Sequence, residues 1–160
     1  MIETIIGYVI ALFIFQPINV FIHENGHAFF VKIFGGNVFK IEIGIGEPLF
    51  NIGIIQVNKQ FFMFGICRCE YNPTDPSSLN EKVKFSLIAL GGIIFNLMTI
   101  LILLAVKMNT THNHFLDGYF FGFTGFLIVS ALIPLTYSTG FKSDGLMLLN
   151  IWRKKTDKVY

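Results

Sequence analysis

Charge is scarce in this sequence. Asp, Glu, Lys and Arg make up 14% of its 160 residues, against about 25% in an average soluble domain, too few to keep a surface wet. The net charge of +2, with no basic cluster ahead of the last few residues, argues against a nucleic-acid binder. Two cysteines, Cys67 and Cys69, are too few for a disulfide scaffold. Apolar residues are not lacking: 53% of the chain is hydrophobic, with 19 phenylalanines, so the chain has ample material to bury and is not disordered. A single domain of this composition belongs in a lipid bilayer.

Three stretches carry no charge: residues 4–22, 85–106 and 118–141. A hydrocarbon core about 30 Å thick needs roughly 20 apolar helical residues, so each is long enough to span. Gln16, Pro17 and Asn19 interrupt the first, and polar groups at such depth face protein or a water-filled cavity rather than lipid. That stretch has no basic flank ahead of it and no small-residue cleavage site behind it, so it reads as a retained span. Lys and Arg set the orientation. None precedes the first span, six lie between Lys32 and Lys84, Lys107 alone follows the second span, and five lie from Lys142 onward. The bias places the N-terminus outside and both the 35–80 segment and the C-terminus in the cytosol.

The segment between the first two spans is of another kind. Gly35-Gly36-Asn37 stops the first helix. Residues 40–45 alternate with the period of a strand, and 50–57 and 60–69 are rich in Phe, Ile and Val, with Asn58-Lys59 expected as the hairpin turn. Asn72 to Ser77 reads as a loop, and Ser78-Leu79-Asn80-Glu81 as a capping box opening the second span. The expected fold is membrane α-helical: three transmembrane helices with a small membrane-associated β-hairpin between helices 1 and 2. In residue numbers, a first helix over 4–34 leads to a β region over 38–69 and a loop over 70–80. Helices over 81–107 and 118–138 follow, then a cytosolic segment and tail over 139–160.

The chemistry is concentrated in His23-Glu24-Asn25-Gly26-His27. Four residues apart on a helix, His23 and His27 share a face and can share a Zn²⁺, while Glu24 is placed to take a proton from water at the metal. A lone helical histidine is more often structural. Here two of four histidines stand in ligand register around the sole charge between Glu3 and Lys32, and a carboxylate at that depth needs a partner or a task. A catalytic zinc takes three protein ligands. Spans one and three run in the same direction, so their cytosolic ends can meet, and Asp144 is the only carboxylate between Asp117 and Asp157. Its competing role is to cap a helix over residues 145–152.

These motifs resemble the site-2 protease family of intramembrane zinc metalloproteases. His23 to Ala28 is similar to the family's H-E-x-G-H-A, and Ile43 to Phe50 to the segment that opens its membrane-associated β region. Gly92-Ile93-Ile94-Phe95-Asn96 stands where the family has G-P-x-x-N, with Ile93 in place of proline, and Asp144-Gly145 corresponds to its D-G. The resemblance covers residues 5–150. It implies one catalytic zinc bound by His23, His27 and Asp144, Glu24 as catalytic base, and cleavage of peptide bonds in or beside the membrane. The family's N-x-x-P-x-x-x-x-D-G is altered: Ala131-Leu132-Ile133-Pro134 lacks the asparagine, and Asp144 follows Pro134 by ten positions rather than five. Asn96 is a candidate to hydrogen-bond substrate or another helix.

The expected substrate is a membrane peptide or single-span protein, the expected location a cell membrane crossed several times, and no nucleic acid is expected as a partner. Two rival readings are a non-catalytic membrane zinc-binding or substrate-holding protein and a zinc or proton transporter. Cys67-Arg68-Cys69 reads as reduced cytosolic thiols, His112-Asn113-His114 as a solvated outer turn, Phe120 to Phe126 as lipid-facing or helix-packing surface, and the basic C-terminus as a match to anionic lipid.

Overall fold

The computed structural model describes residues 1–73, 75, 78–109, 115–137 and 140–153. Helix α1 runs over Ile2–Ile33 and α2 over Leu79–Met108. Both are apolar and long enough to cross a membrane, at about 1.5 Å per residue. Within α1 the five residues Ala11–Phe15 form a π turn, in which the Gln16 amide reaches back to the Ala11 carbonyl. Pro17 follows directly and has no N–H to give, so the wide turn accommodates a carbonyl ladder that a regular helix would break. Phe34 ends α1, and Gly35 takes φ 84°, a left-handed conformation natural to glycine at a helix end.

Strands β1 (Asn37–Ile52) and β2 (Ile55–Glu70) pair antiparallel, from Asn37 opposite Glu70 to Ile52 opposite Ile55. The turn is therefore at Gly53-Ile54, with Gly53 at φ 59°, and not at the expected Asn58-Lys59. Asn58 is instead buried within β2: its Nδ2 donates to the Gly44 carbonyl at 2.8 Å, and its Oδ1 accepts from Gln56 at 2.6 Å. A local turn signal lost to a tertiary use of the same side chain. Both strands bend, so Ile41, Glu42 and Ile43 pair with residues 65–67 and also with Ile55, Gln56 and Val57. Ile43 packs on Val20 of α1 and on Leu127, which fixes the hairpin against the helices.

Ser78 caps α2, its Oγ accepting from the Glu81 amide at 3.2 Å. Glu81 does not complete the expected reciprocal box; its carboxylate takes Tyr71 Oη at 2.5 Å and Lys84 Nζ at 2.7 Å. Helix α3 is Asp117–Leu132, 16 residues. It ends six residues short of the expected 138 because Ile133 precedes Pro134 and turns extended. At about 24 Å it is shorter than the other two, and only α1 and α2 meet the length of a full span among the described residues. Helix α4, Asp144–Trp152, packs on α2 through Ile151 against Phe85 and Ala89. Outward-facing residues such as Leu101, Ile102 and Val129 are well over half exposed, the surface of a chain whose solvent is lipid. The expected outer turn at His112 to His114 and the tail from Lys154 lie outside the described residues.

Arg68 ties the hairpin to the segment ahead of α4. Its Nε donates to Glu42 Oε1 at 2.7 Å and its Nη2 to Oε2 at 3.3 Å, while the guanidinium lies 5.6 Å from the Phe141 ring centre. The hydrogen bond from Arg68 holds the Glu42 carboxyl below its ordinary range. A lowered carboxylate pKa stabilises the fold above the unfolded value and loses that contribution as pH falls through the folded one. Arg68→Ala is expected to cost roughly 0.2–1 kcal/mol at pH 7, because the pair is partly exposed. The difference from wild type should shrink toward pH 4 in thermal unfolding of the detergent-solubilised chain.

Candidate metal centre

One face of α1 is polar at helical spacing. Gln16, Asn19, His23 and His27 follow at intervals of three, four and four, and all are buried. The expectation that the interrupting polar residues face protein holds: Thr124 Oγ1 of α3 donates to Asn19 Oδ1 at 3.0 Å. One and two turns further on stand His23 and His27, with Glu24 beside them, each less than a tenth exposed.

Asp144 completes the group. His23 Nε2 lies 3.1 Å from Asp144 Oδ2, His27 Nε2 lies 3.6 Å from Oδ1, and one ligand atom from each residue falls within a 4.8 Å cluster that could hold a metal ion. The long spacing after Pro134 is absorbed by a loop that closes on itself. Thr136 bridges Lys142, the Ser143 amide donates to the Leu135 carbonyl at 2.9 Å, and Ser143 Oγ donates to the Ile133 carbonyl at 2.7 Å. The chain thus returns to the end of α3 before α4 begins. Ser143, not Asp144, is the N-cap of α4, accepting from the Leu146 amide at 3.3 Å. That leaves the Asp144 carboxylate free to face the histidines. Gly145 lies against the Leu132 backbone, where a Cβ would collide with the carbonyl.

Helix α2 supports the site without giving it a ligand atom. His27 Nδ1 is 2.7 Å from the Ile88 carbonyl, so that nitrogen carries the proton and Nε2 presents its lone pair toward Asp144. Asn96, fully buried, places its side-chain amide 3.3 Å from His23 Nδ1. It bonds another helix and is not among the cavity-lining residues. The helices approach this closely because Gly26 meets Gly91 backbone to backbone and the His23 ring lies against Gly92.

A cavity of about 560 Å³ opens on these groups, walled on one side by residues 63–69 of β2 and on another by Ser130, Tyr137 and Phe141. Two β2 residues touch Glu24, and neither was singled out for this from the sequence. The Cys67 backbone lies beside the Glu24 carboxylate, and Gly65 lies so close that a Cβ there would fall 2.7 Å from Glu24 Cγ. A solitary glycine in a Phe-rich strand was the available signal, since it often marks close backbone approach.

Two imidazoles, that of His27 held in one tautomer by the Ile88 carbonyl, and a buried carboxylate suit a divalent cation of intermediate softness. The profile of Peptidase family M50 matches residues 8–147. The chain is 29% identical over 155 residues to a Bacillus subtilis (strain 168) protein named as the uncharacterized membrane protein YwmF, covering 94% of this chain and 92% of that one. No solved structure matches. A match over most of the length, around a buried His-His-Asp cluster, places the chain in peptidase family M50, the site-2 protease family.

Proposed function

We propose that this chain is a zinc-dependent intramembrane endopeptidase that hydrolyses peptide bonds of membrane-embedded peptides or single-span proteins. The observation that carries the reading is the convergence of His23, His27 and Asp144 beside Glu24 in one cavity. These three residues would hold the zinc, which when bound supplies a Lewis acid for the scissile carbonyl and brings the pKa of water down to about 7. Glu24 takes the proton from the attacking water and returns it to the leaving amine. Glu24 and Cys67 both line the cavity.

A peptide bond inside a membrane helix is shielded by its own hydrogen bonds, so the substrate unwinds locally before it is cut. A strand edge offers the unwound segment backbone partners. Strand β2 supports this use, because residues 65–70 pair with β1 while residues 63–69 line the cavity. The N-terminus lies outside, and the hairpin, the metal centre and the C-terminus lie on the cytosolic side, with α3 as the third crossing. The Lys and Arg distribution supports that orientation.

Proteoliposomes carrying the full chain and a single-span peptide are expected to yield fragments detectable by mass spectrometry. Cleavage should stop on addition of a zinc chelator and return with added zinc; fragments that persist under chelation would overturn the reading. Asp144→Ala removes a ligand outright. Its metal affinity, from chelator competition, is expected to fall by more than the roughly 10–100-fold lost with a supporting residue.

A further inference from the structure

His23 offers its two ring nitrogens to different neighbours. Nε2 faces Asp144 at 3.1 Å, and Nδ1 faces the Asn96 side-chain amide at 3.3 Å. Asn96 is fully buried on α2, and its Nδ2 is the end toward the ring while Oδ1 has no partner. In that arrangement Nδ2 donates to an unprotonated Nδ1, so a neutral ring keeps its proton on Nε2 and directs it at Asp144. A metal ligated through Nε2 demands the opposite tautomer, with the proton on Nδ1 and an acceptor to receive it. The two ends of an asparagine amide are nearly the same shape, and a half-turn about the last side-chain bond exchanges them. That turn brings the otherwise unpartnered Oδ1 to Nδ1.

We infer that Asn96 is a positioning residue that serves both tautomers of His23: it donates to Nδ1 when Nε2 carries the proton, and accepts from Nδ1 when Nε2 ligates a divalent cation. The inference deepens the metal-centre reading and rests on it. His27 is oriented by a backbone carbonyl, Ile88, which can only accept and so holds one tautomer permanently. His23 lies one turn deeper, with its ring against Gly92, and has a partner that can act either way. Both orienting groups belong to α2, so the helix that gives no ligand sets the direction of both imidazoles.

The test is the affinity of the detergent-solubilised full chain for Zn²⁺, measured by competition with a chelating dye, alongside thermal unfolding. Asn96→Leu removes donor and acceptor and is expected to bind zinc roughly 10–100-fold more weakly. Asn96→Asp keeps the acceptor, and is expected to bind within about tenfold of wild type or more tightly. Asn96→Ala takes the place of the leucine variant if the latter does not fold. A folded Asn96→Leu or Asn96→Ala chain that binds zinc like wild type, or an Asn96→Asp chain as weak as they are, would overturn the role of Asn96 while leaving the metal centre intact. A wild-type chain that binds no zinc would overturn both.

Discussion

Glu24→Gln is expected to keep its metal and lose its hydrolysis. Glutamine has almost the shape of glutamate, so it fits the same place beside Gly65. The substitution leaves in place His23, His27 and Asp144, the cluster that would bind the ion. What glutamine lacks is an oxygen basic enough to take a proton from water. General-base assistance typically contributes about 10²–10⁴ in rate, so turnover should fall by at least that range at unchanged zinc content. In cells, mass spectrometry of membrane peptides should find species that accumulate with Glu24→Gln and are trimmed with wild type. If none accumulates, the chain is not a processing enzyme. If cleavage continues at the wild-type rate, Glu24 is not the base. A non-catalytic metal-binding protein would give the first result while still holding zinc, so metal content and peptide profile together separate the readings.

The second large effect is steric. A methyl group added at Gly26 would overlap the Gly91 carbonyl, and one at Gly91 would overlap the carbonyl of Gly26. The obstacle is backbone in each case, not the end of a flexible side chain, so α1 and α2 would have to separate. Overpacking of this kind costs about 1–3 kcal/mol and occasionally more. The functional loss should exceed the stability loss. His27 lies next to Gly26 and reaches the Ile88 carbonyl at 2.7 Å only because the axes are this close, and zinc–nitrogen bonds tolerate little departure from about 2.0–2.1 Å. Gly26→Val is therefore expected to lower the unfolding temperature in detergent and to abolish zinc binding. Gly125→Ala in α3 is the control. Nothing lies within 4 Å of its added carbon, so stability should hold or rise slightly through helix propensity.

These two glycines mark the limit of what a linear reading provides. Gly26 stands in the histidine motif and Gly91 beside the Gly92-to-Asn96 motif, yet nothing in the spacing of either says that they touch. Asn96 was legible as a polar residue part-way into a span, open to substrate or to another helix; its partner is the ring of His23, 73 residues away. Asp144 was legible as the lone carboxylate near the right end of α3, with helix capping as its rival role. Ser143 takes the cap, a choice settled by the bonds from Ser143 to Ile133 and Leu135, which set which of two adjacent oxygens reaches the helix start. The hairpin turn was misplaced for a related reason. Asn58-Lys59 is a good local turn, but Asn58 is buried against the Gly44 carbonyl and the chain turns at Gly53-Ile54 instead.

The sequence by itself determined whatever depends on residues within a helical turn of one another. That covers the solvent the chain requires, the helix stop at Gly35, the Ser78 cap, and the register that puts His23 and His27 on one face. The tertiary structure decided what depends on residues far apart in the chain: the distance from the histidines to Asp144, the press of Gly65 and Cys67 on Glu24, and the hold of α2 on both imidazoles. Local pattern is set by backbone geometry and periodicity, which repeat along any chain. A metal centre is set by distances of a few ångströms between separate elements, and only the packing of those elements fixes them.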